Sequence, residues 1–310
     1  MKVIRGLHNL RQEHKGCVAT IGNFDGVHLG HQQLIDKLKQ RANSLSLPVT
    51  VIVFEPQPRE FFDRDGAPGR VTRFRDKIER LKVAGVDQVL CLGFNESLRS
   101  LTAADFVQQL LIEKLAVKYL VVGDDFRFGC DRSGDFEFLT DAAKEFGFDL
   151  TSMATLSEGD VRISSTAVRQ VLEQADFEQA ETLLGWPYAI SGKVVHGRKL
   201  GRQIGAPTAN VQLAGLKSPF SGVFAVKVNG AGLEQAIAVA NLGIKPTVNG
   251  VLPSLEVHLL SEGKDLYGQR ISVTFCHKLR DEKKFDGIEQ LQAQIAQDIQ
   301  SAKDWFLNKD

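Results

Sequence analysis

Apolar residues along this chain follow two rhythms, and the change from one to the other divides it. Up to about residue 184, strand-like segments rich in apolar and β-branched residues occur at 17–21, 49–54, 88–92 and 119–122, with a further strand candidate at 149–153. Between them lie stretches in which apolar positions recur every three or four residues: Leu34, Ile35 and Leu38, then 77–83 and 106–115. Unbroken apolar runs predict strands buried on both faces, and the 3.6-residue periodicity predicts helices. Their alternation predicts a doubly wound α/β domain, a parallel sheet with helices on both faces. Ligands of such sheets gather at the carboxyl ends of the strands, near a switch in strand order.

Beyond Leu184 the helical rhythm stops at Gly185-Trp186-Pro187. Short β-rich runs follow at 188–196, 222–228, 236–242, 255–260 and 270–276, separated by glycine turns. A small antiparallel β-barrel is the closure that leaves such strands few exposed edges. Ile288, Leu291, Ile295 and Ile299 then lie on one face of a C-terminal helix, which the pattern predicts to pack against the barrel. The expected domains are 1–184 and 185–310, each long enough to bury a core.

Charge narrows the partners. Lys plus Arg and Asp plus Glu number 38 each, so the chain lacks the basic excess of a general nucleic-acid binder. No segment approaches the length of a membrane span, and the first sixteen residues are polar and mixed in charge, unlike a targeting peptide. Cys17, Cys91, Cys130 and Cys276 are scattered without a C-x-x-C pair, which suggests reduced thiols and neither a zinc cluster nor a disulfide framework. The expectation is a cytoplasmic protein, monomeric or weakly homo-oligomeric, that acts on small molecules without nucleic-acid or membrane partners.

The densest chemistry is GNFDGVHLGH at 22–31, between the first buried strand and the first amphipathic helix. The first N–H groups of a helix are unpaired and its dipole is positive there, so phosphate is favoured. His28 and His31, aimed at that spot, can donate hydrogen bonds to phosphoryl oxygens and stabilise charge on a leaving pyrophosphate. Gly30 permits close approach of a nucleotide to the backbone. The alternatives are polar residues at a helix start, or half of a metal site for which Asp25 alone does not complete a ligand set.

Two further segments of this half carry candidate chemistry, the first of them expected at the same sheet edge. VVGDDFRFG at 121–129 carries Asp124, Asp125 and Arg127 on a loop after a strand, or is an ordinary surface turn. RISSTAVR at 162–169 places three hydroxyls between two arginines at a helix start, where Ser164 or Ser165 can serve as an N-cap and can also help grip phosphate.

The decapeptide resembles the nucleotidyltransferases of the H-x-G-H type, and in its full length the FMN adenylyltransferase module of the bacterial bifunctional riboflavin kinase and FAD synthetase family. VVGDDFRFG and the ISST-x-x-R string are similar to further motifs of that module. The resemblance implies that Gly22, Asn23, Phe24, Asp25, His28 and His31 bind ATP, with both histidines catalytic. It implies that Arg162, Ser164, Ser165, Thr166 and Arg169 hold the triphosphate end, and that Asp125 contacts the acceptor phosphate region. Phe62 and Phe128 are implied to stack on or flank an isoalloxazine ring, although single aromatics are more often core. FEPQP at 54–58 is similar to the family as well, with Gln57 where histidine is expected.

In the second half, GKVVHGRKLGRQIGAPTAN at 192–210 repeats glycine every fourth residue, at Gly197, Gly201 and Gly205, and matches neither the dinucleotide fingerprint nor the P-loop. Its amides, with Lys199 or Arg202, offer another cradle for a nucleotide. Thr208 and Asn210, two apart on an extended segment, share a face and suit Mg²⁺ as hard oxygen ligands; the tetrapeptide alone is equally an ordinary turn. Glu256 and His258 share a face of a predicted strand, where a carboxylate can accept the proton of an attacking primary hydroxyl or simply face solvent.

These segments resemble the riboflavin kinase module of the same family, whose PTAN segment binds MgATP. The likeness implies that Gly197, Lys199, Gly201, Gly205, Thr208 and Asn210 bind ATP and that Glu256, at the flavin, is the catalytic base. Arg280 is implied to close a loop over flavin or nucleotide. The chain departs from the family's usual pattern at Phe224 (tyrosine), at Ala206 (an aromatic) and at Ser261-Glu262 (Asp-Phe). The reading is a bifunctional enzyme: riboflavin and MgATP give FMN at the barrel, then FMN and ATP give FAD and pyrophosphate at the α/β domain. Two other readings are an adenylyltransferase for another phosphate acceptor with a barrel that only binds flavin, and a flavin sensor without turnover.

Overall fold

The computed structural model describes residues 1–154, 156–158, 161–196, 207–213, 217–247, 250–261 and 264–309. Its contacts divide into two units, Met1–Ala67 with Phe74–Ser165, and Pro68–Arg73 with Thr166–Asp310.

The first unit is built on six strands, β1 (Lys2–Arg5), β2 (Cys17–Ile21), β3 (Val49–Phe54), β4 (Gln88–Leu92), β5 (Val117–Gly123) and β6 (Asp149–Met153). They stand in the order β1-β4-β3-β2-β5-β6, and every pair is parallel. Each residue of β2 is buried, because helices cover both faces. Cys17, Ala19 and Ile21 enter one core with Leu110, Leu111 and Leu120, while Val18 enters the other with Ile35, Leu38 and Val51. The chain leaves β2 toward β3 on one side and returns as β5 on the other, so the order switches beside β2. The turn after β2 therefore opens at that crevice, with the turn after β5 as its neighbour.

Strand β1 is absent from the sequence expectation for a physical reason. It is an edge strand of which only Ile4 is buried, so neither an apolar run nor an alternation marks it. The expected helix at 106–115 is present as a π-helical segment, Phe106–Lys114, that buries Phe106, Val107, Leu110 and Leu111. A short hairpin of β7 (Ser157–Glu158) and β8 (Val161–Arg162) precedes the helix Ser165–Glu173.

The second unit is a closed antiparallel barrel of β9 (Ala189–Val195), β10 (Ala209–Val211), β11 (Gly222–Gly230), β12 (Leu233–Thr247), β13 (Gly250–Leu259) and β14 (Arg270–Arg280). The order is β10-β13-β12-β11-β14-β9, and β9 pairs back to β10. Strand β11 is buried on both faces: Val223 and Ala225 lie under the C-terminal helix Ile288–Leu307, against Ala302 and Phe306, and Phe224 points the other way. Phe224 is fully buried among Phe177, Phe220 and Phe275, a setting with no need for the hydroxyl a tyrosine would bring.

Residues 166–184, grouped with the first domain in the sequence reading, make their contacts in this second unit. Phe177 makes some of these contacts: its ring packs 5.4 Å from Phe220 and 5.7 Å from Phe275. The segment Pro68–Arg73 joins them: Tyr188 Oη donates to the Val71 carbonyl at 3.1 Å and Arg169 Nε to the Gly69 carbonyl at 2.7 Å.

Candidate functional sites

In the first unit the turn after β2 is backbone under strain. Phe24 and Val27 have φ of 47° and 42°, and Gly26 has 87°. A left-handed β-branched residue is disfavoured by roughly 1–2 kcal/mol, so the surroundings must enforce it. Phe24 and Val27 are 1% exposed and packed in the core beside Ile35 and Leu38. Gln32 Nε2 donates to the Val27 carbonyl at 2.9 Å, and Ser165 Oγ donates to the Asp25 carbonyl at 2.8 Å.

This turn delivers His28 as the N-cap of helix α1 (Leu29–Leu45), with His31 in its first turn. The two imidazoles stack, centroids 3.6 Å apart and planes 23° from parallel, with Phe24 4.6 Å from the His31 ring. Gly30 leaves the space for this stack. A Cβ there would stand 3.3 Å from His28 Cε1 and Nδ1 and 3.7 Å from the Ile163 carbonyl. His31 titrates well below the ordinary histidine range, first because it is desolvated, then because His28 and the buried Lys77 lie within Coulombic reach. Two imidazolium ions at the stacking distance would repel by about 4–5 kcal/mol at an effective dielectric of about 20, which disfavours charging both rings together. A neutral imidazole still offers one N–H donor.

The neighbouring motifs converge on this edge in part. Arg162 reaches Asp125 Oδ2 at 3.3 Å, joining two segments that are 37 residues apart. Ser165 braces the histidine turn through its bond to Asp25. Thr166 and Arg169 fall in the second unit. Arg127 pairs with Asp135, the N-cap of helix Phe136–Phe146, and this, after the Phe138 N–H, holds the Asp135 carboxyl below its usual range. Asn23 is exposed, and a Cβ on Gly22 would meet the Phe24 ring at 3.3 Å. Phe62 is 62% exposed in a cluster with Phe61 and Phe94, and the Arg99 guanidinium lies 5.6 Å over its ring. Phe128 is 6% exposed, packed among Phe106, Phe126 and Phe138. Gln57 is buried, and its Nε2 has no hydrogen-bond partner among the described residues.

In the second unit, β10 and β13 place Asn210 directly opposite Glu256. Leu255 and Val257 turn into the core, so Glu256 and His258 share the opposite face. Thr208 Oγ1 lies 3.5 Å from Glu256 Oε2, so hydroxyl, carboxamide and carboxylate meet at one place. Asn241 of β12 faces Glu256 from the other flank, with its Oδ1 buried and unpartnered among the described residues. A cleft of about 640 Å³ adjoins these groups, lined by Pro207, Thr208, His258, Lys264, Asp265 and Tyr267 among others. Gly197, Lys199, Gly201, Arg202, Gly205 and Ala206 lie outside the described residues, as does Glu262.

Arg280 is occupied within the barrel unit. Its Nε and NH2 donate to Asp298 of the C-terminal helix at 2.8 and 2.7 Å, its NH1 donates to the Asp281 carbonyl, and Phe285 lies 5.9 Å away. The sequence reading missed Asp298 and Lys77 as partners of the sites, and took Asn241 only as part of a segment, 241–247, that resembles the kinase module. Polar residues on a helix or strand read as solvent-facing until packing shows what they touch.

Among the described residues no three His, Cys, Asp or Glu gather as a metal site, and no helix is long and apolar enough to cross a membrane. Comparison with known proteins matches a family model described as FAD synthetase to residues 10–167 and one described as riboflavin kinase to residues 184–306. A protein of Escherichia coli K12 named bifunctional riboflavin kinase/FMN adenylyltransferase is 53% identical over 99% of this chain and 98% of its own length. Proteins of the same name from Pseudomonas fluorescens and Haemophilus influenzae are 51% and 47% identical, over 98% and 99% of this chain and 97% and 99% of their own lengths. A crystal structure titled as a macrolide-efflux protein from Streptococcus pneumoniae superposes with a TM-score of 0.78 at 29% identity, covering 98% of this chain and 99% of that one. With a strand-switch histidine turn in one unit, a barrel carrying Glu256 in the other, and both family models in that order, the chain belongs to the family of bifunctional riboflavin kinases/FMN adenylyltransferases.

Proposed function

We propose that the two reactions divide between the two constellations: FMN is made at Glu256 and converted to FAD at His28 and His31. In the kinase step the Glu256 carboxylate accepts the proton of the riboflavin 5′-hydroxyl as its oxygen attacks the γ-phosphorus of ATP and ADP departs. Thr208 and Asn210 present hard oxygen donors beside Glu256, a donor set that fits Mg²⁺, which when bound supplies charge neutralisation on the phosphates. The glycine segment with Gly197, Lys199, Gly201 and Gly205 is assigned to the same ATP.

In the second step an FMN phosphate oxygen attacks the α-phosphorus of another ATP, and pyrophosphate leaves. The N–H groups of His28 and His31 and the first amides of α1 stabilise charge on the phosphoryl oxygens. Gly22, Asn23, Phe24 and Asp25 shape the turn that holds ATP. Arg162, Ser164, Thr166 and Arg169 are assigned to the triphosphate, Asp125 to the FMN phosphate and the exposed Phe62 to the flavin ring, with Phe128 supporting that wall from the core. Arg280 is assigned to fastening the stretch after β14 beside the flavin through Asp298. The protein works in the cytoplasm on small molecules, as a monomer or weak oligomer, without nucleic acid.

The observation that carries the division is Glu256 in register with Asn210 and within 3.5 Å of Thr208 in a different contact unit from the stacked histidines. Incubation of the protein with riboflavin, ATP and Mg²⁺, followed by separation of the flavins, tests it. His28→Ala is expected to accumulate FMN without FAD, and Glu256→Ala to form FAD only from supplied FMN. Loss of both activities in either variant refutes the division.

A further inference from the structure

His258 stands on the face of β13 that carries Glu256, and its Nδ1 lies 2.9 Å from the carbonyl oxygen of Pro207. A carbonyl only accepts, so Nδ1 carries a proton and donates. The bond joins two segments where the strand ladder ends. Strand β10 has three residues, paired Ala209 to Val257, Asn210 to Glu256 and Val211 to Leu255, and among the described residues no rung precedes Ala209. Pro207 has no N–H with which to extend the ladder. The imidazole supplies the missing fastening, one residue before Thr208 and three before Asn210.

We propose that His258 is a positioning residue of the kinase step: its hydrogen bond to Pro207 holds Thr208 and Asn210 in place against Glu256, ready for the metal-bound phosphates of ATP. This rests on the reading of Glu256, Thr208 and Asn210 as the kinase centre. Without the tether the two oxygen donors must be ordered by the nucleotide itself, so the loss falls on MgATP rather than on riboflavin.

The test compares His258→Gln, His258→Leu and His258→Asn in the full-length protein. Asparagine places an amide N–H where Nδ1 stood, whereas glutamine keeps bulk and polarity but moves the donor to the position of Nε2. The Leu and Gln variants are expected to raise the KM for MgATP in FMN formation roughly three- to tenfold, about the worth of one such hydrogen bond. The KM for riboflavin stays unchanged, and Asn restores most of the MgATP affinity. FAD formation from supplied FMN is expected at the wild-type rate in all three. A wild-type KM for MgATP in the Leu and Gln variants overturns the proposal. So does an Asn variant as impaired as Gln, or a fall in kcat with KM constant and a lowered unfolding midpoint, which is the mark of a merely structural contact. Glu256→Ala run alongside separates the two levels: full kinase activity there refutes the site itself, and an inactive Glu256→Ala with an unaltered His258→Gln refutes only the tether.

Discussion

Gly30→Ala sets positioning against stability at a single atom. Gly30 is the second residue of α1, in a helical conformation an alanine adopts without strain, and alanine is favoured over glycine in a helix by up to about 1 kcal/mol. The added methyl has only one obstruction of consequence. It would sit 3.3 Å from His28 Cε1 and Nδ1, with the Ile163 carbonyl at 3.7 Å closing the other side. Since carbon contacts relax to roughly 3.5–4.0 Å, the imidazole must yield by about 0.2–0.7 Å, out of its 3.6 Å stack on His31. A misplacement of 1 Å can lower a rate by about a hundredfold, so this displacement is worth roughly three- to twenty-fivefold. The expected result is FAD formation from FMN and ATP slowed by that factor, riboflavin phosphorylation unchanged, and urea resistance of the first unit equal or higher. Hydrogen exchange of the β2 amides reads that stability, because both tryptophans, Trp186 and Trp305, belong to the other unit. An undiminished FAD rate would refute the reasoning, and so would a rate loss accompanied by lower β2 protection.

Two further outcomes follow from charge and burial. Because the folded protein holds His31 below its ordinary range, the unfolded chain binds the extra proton first as pH falls. The stability tied to His31 is therefore complete above about pH 6.5, the unfolded value, and declines below it. Protection of the β2 and α1 amides should weaken on acidification through that range, and His31→Gln should remove the decline; an identical pH profile in that variant would sink the idea. In the second unit, Asp298→Ala leaves the largely buried Arg280 without its carboxylate, a change expected to cost about 3–5 kcal/mol. Arg280→Met with Asp298→Leu should recover much of the loss in tryptophan-monitored unfolding, since the double change removes both charges. A single variant within about 0.5 kcal/mol of wild type would show that the pair is not holding the helix.

The sequence by itself determined the architecture wherever burial is two-sided. Strands β2 to β5 are dominated by apolar and β-branched residues because both faces of a parallel sheet are covered, and the glycine-separated β-rich runs closed into a barrel for want of any helix to cover their edges. It also marked which elements carry the candidate chemistry, since imidazoles after a buried strand and a carboxylate on a polar strand face are local patterns. Strand β1 was illegible for the converse reason: an edge with one buried residue carries no pattern.

Only the tertiary structure decided which side chains meet. The stack of His28 on His31, the approach of Arg162 to Asp125, the tie from His258 to Pro207 and the clamp of Asp298 on Arg280 each join groups whose proximity depends on backbone paths. It likewise placed residues 166–184 with the barrel, where Phe177 packs on Phe220, and gave Gly30 its purpose as the space for a histidine ring. Local periodicity records whether a position is buried, and hydrogen bonds and ring contacts record against what. The second is a property of three-dimensional packing, to which residues far apart in the chain contribute equally.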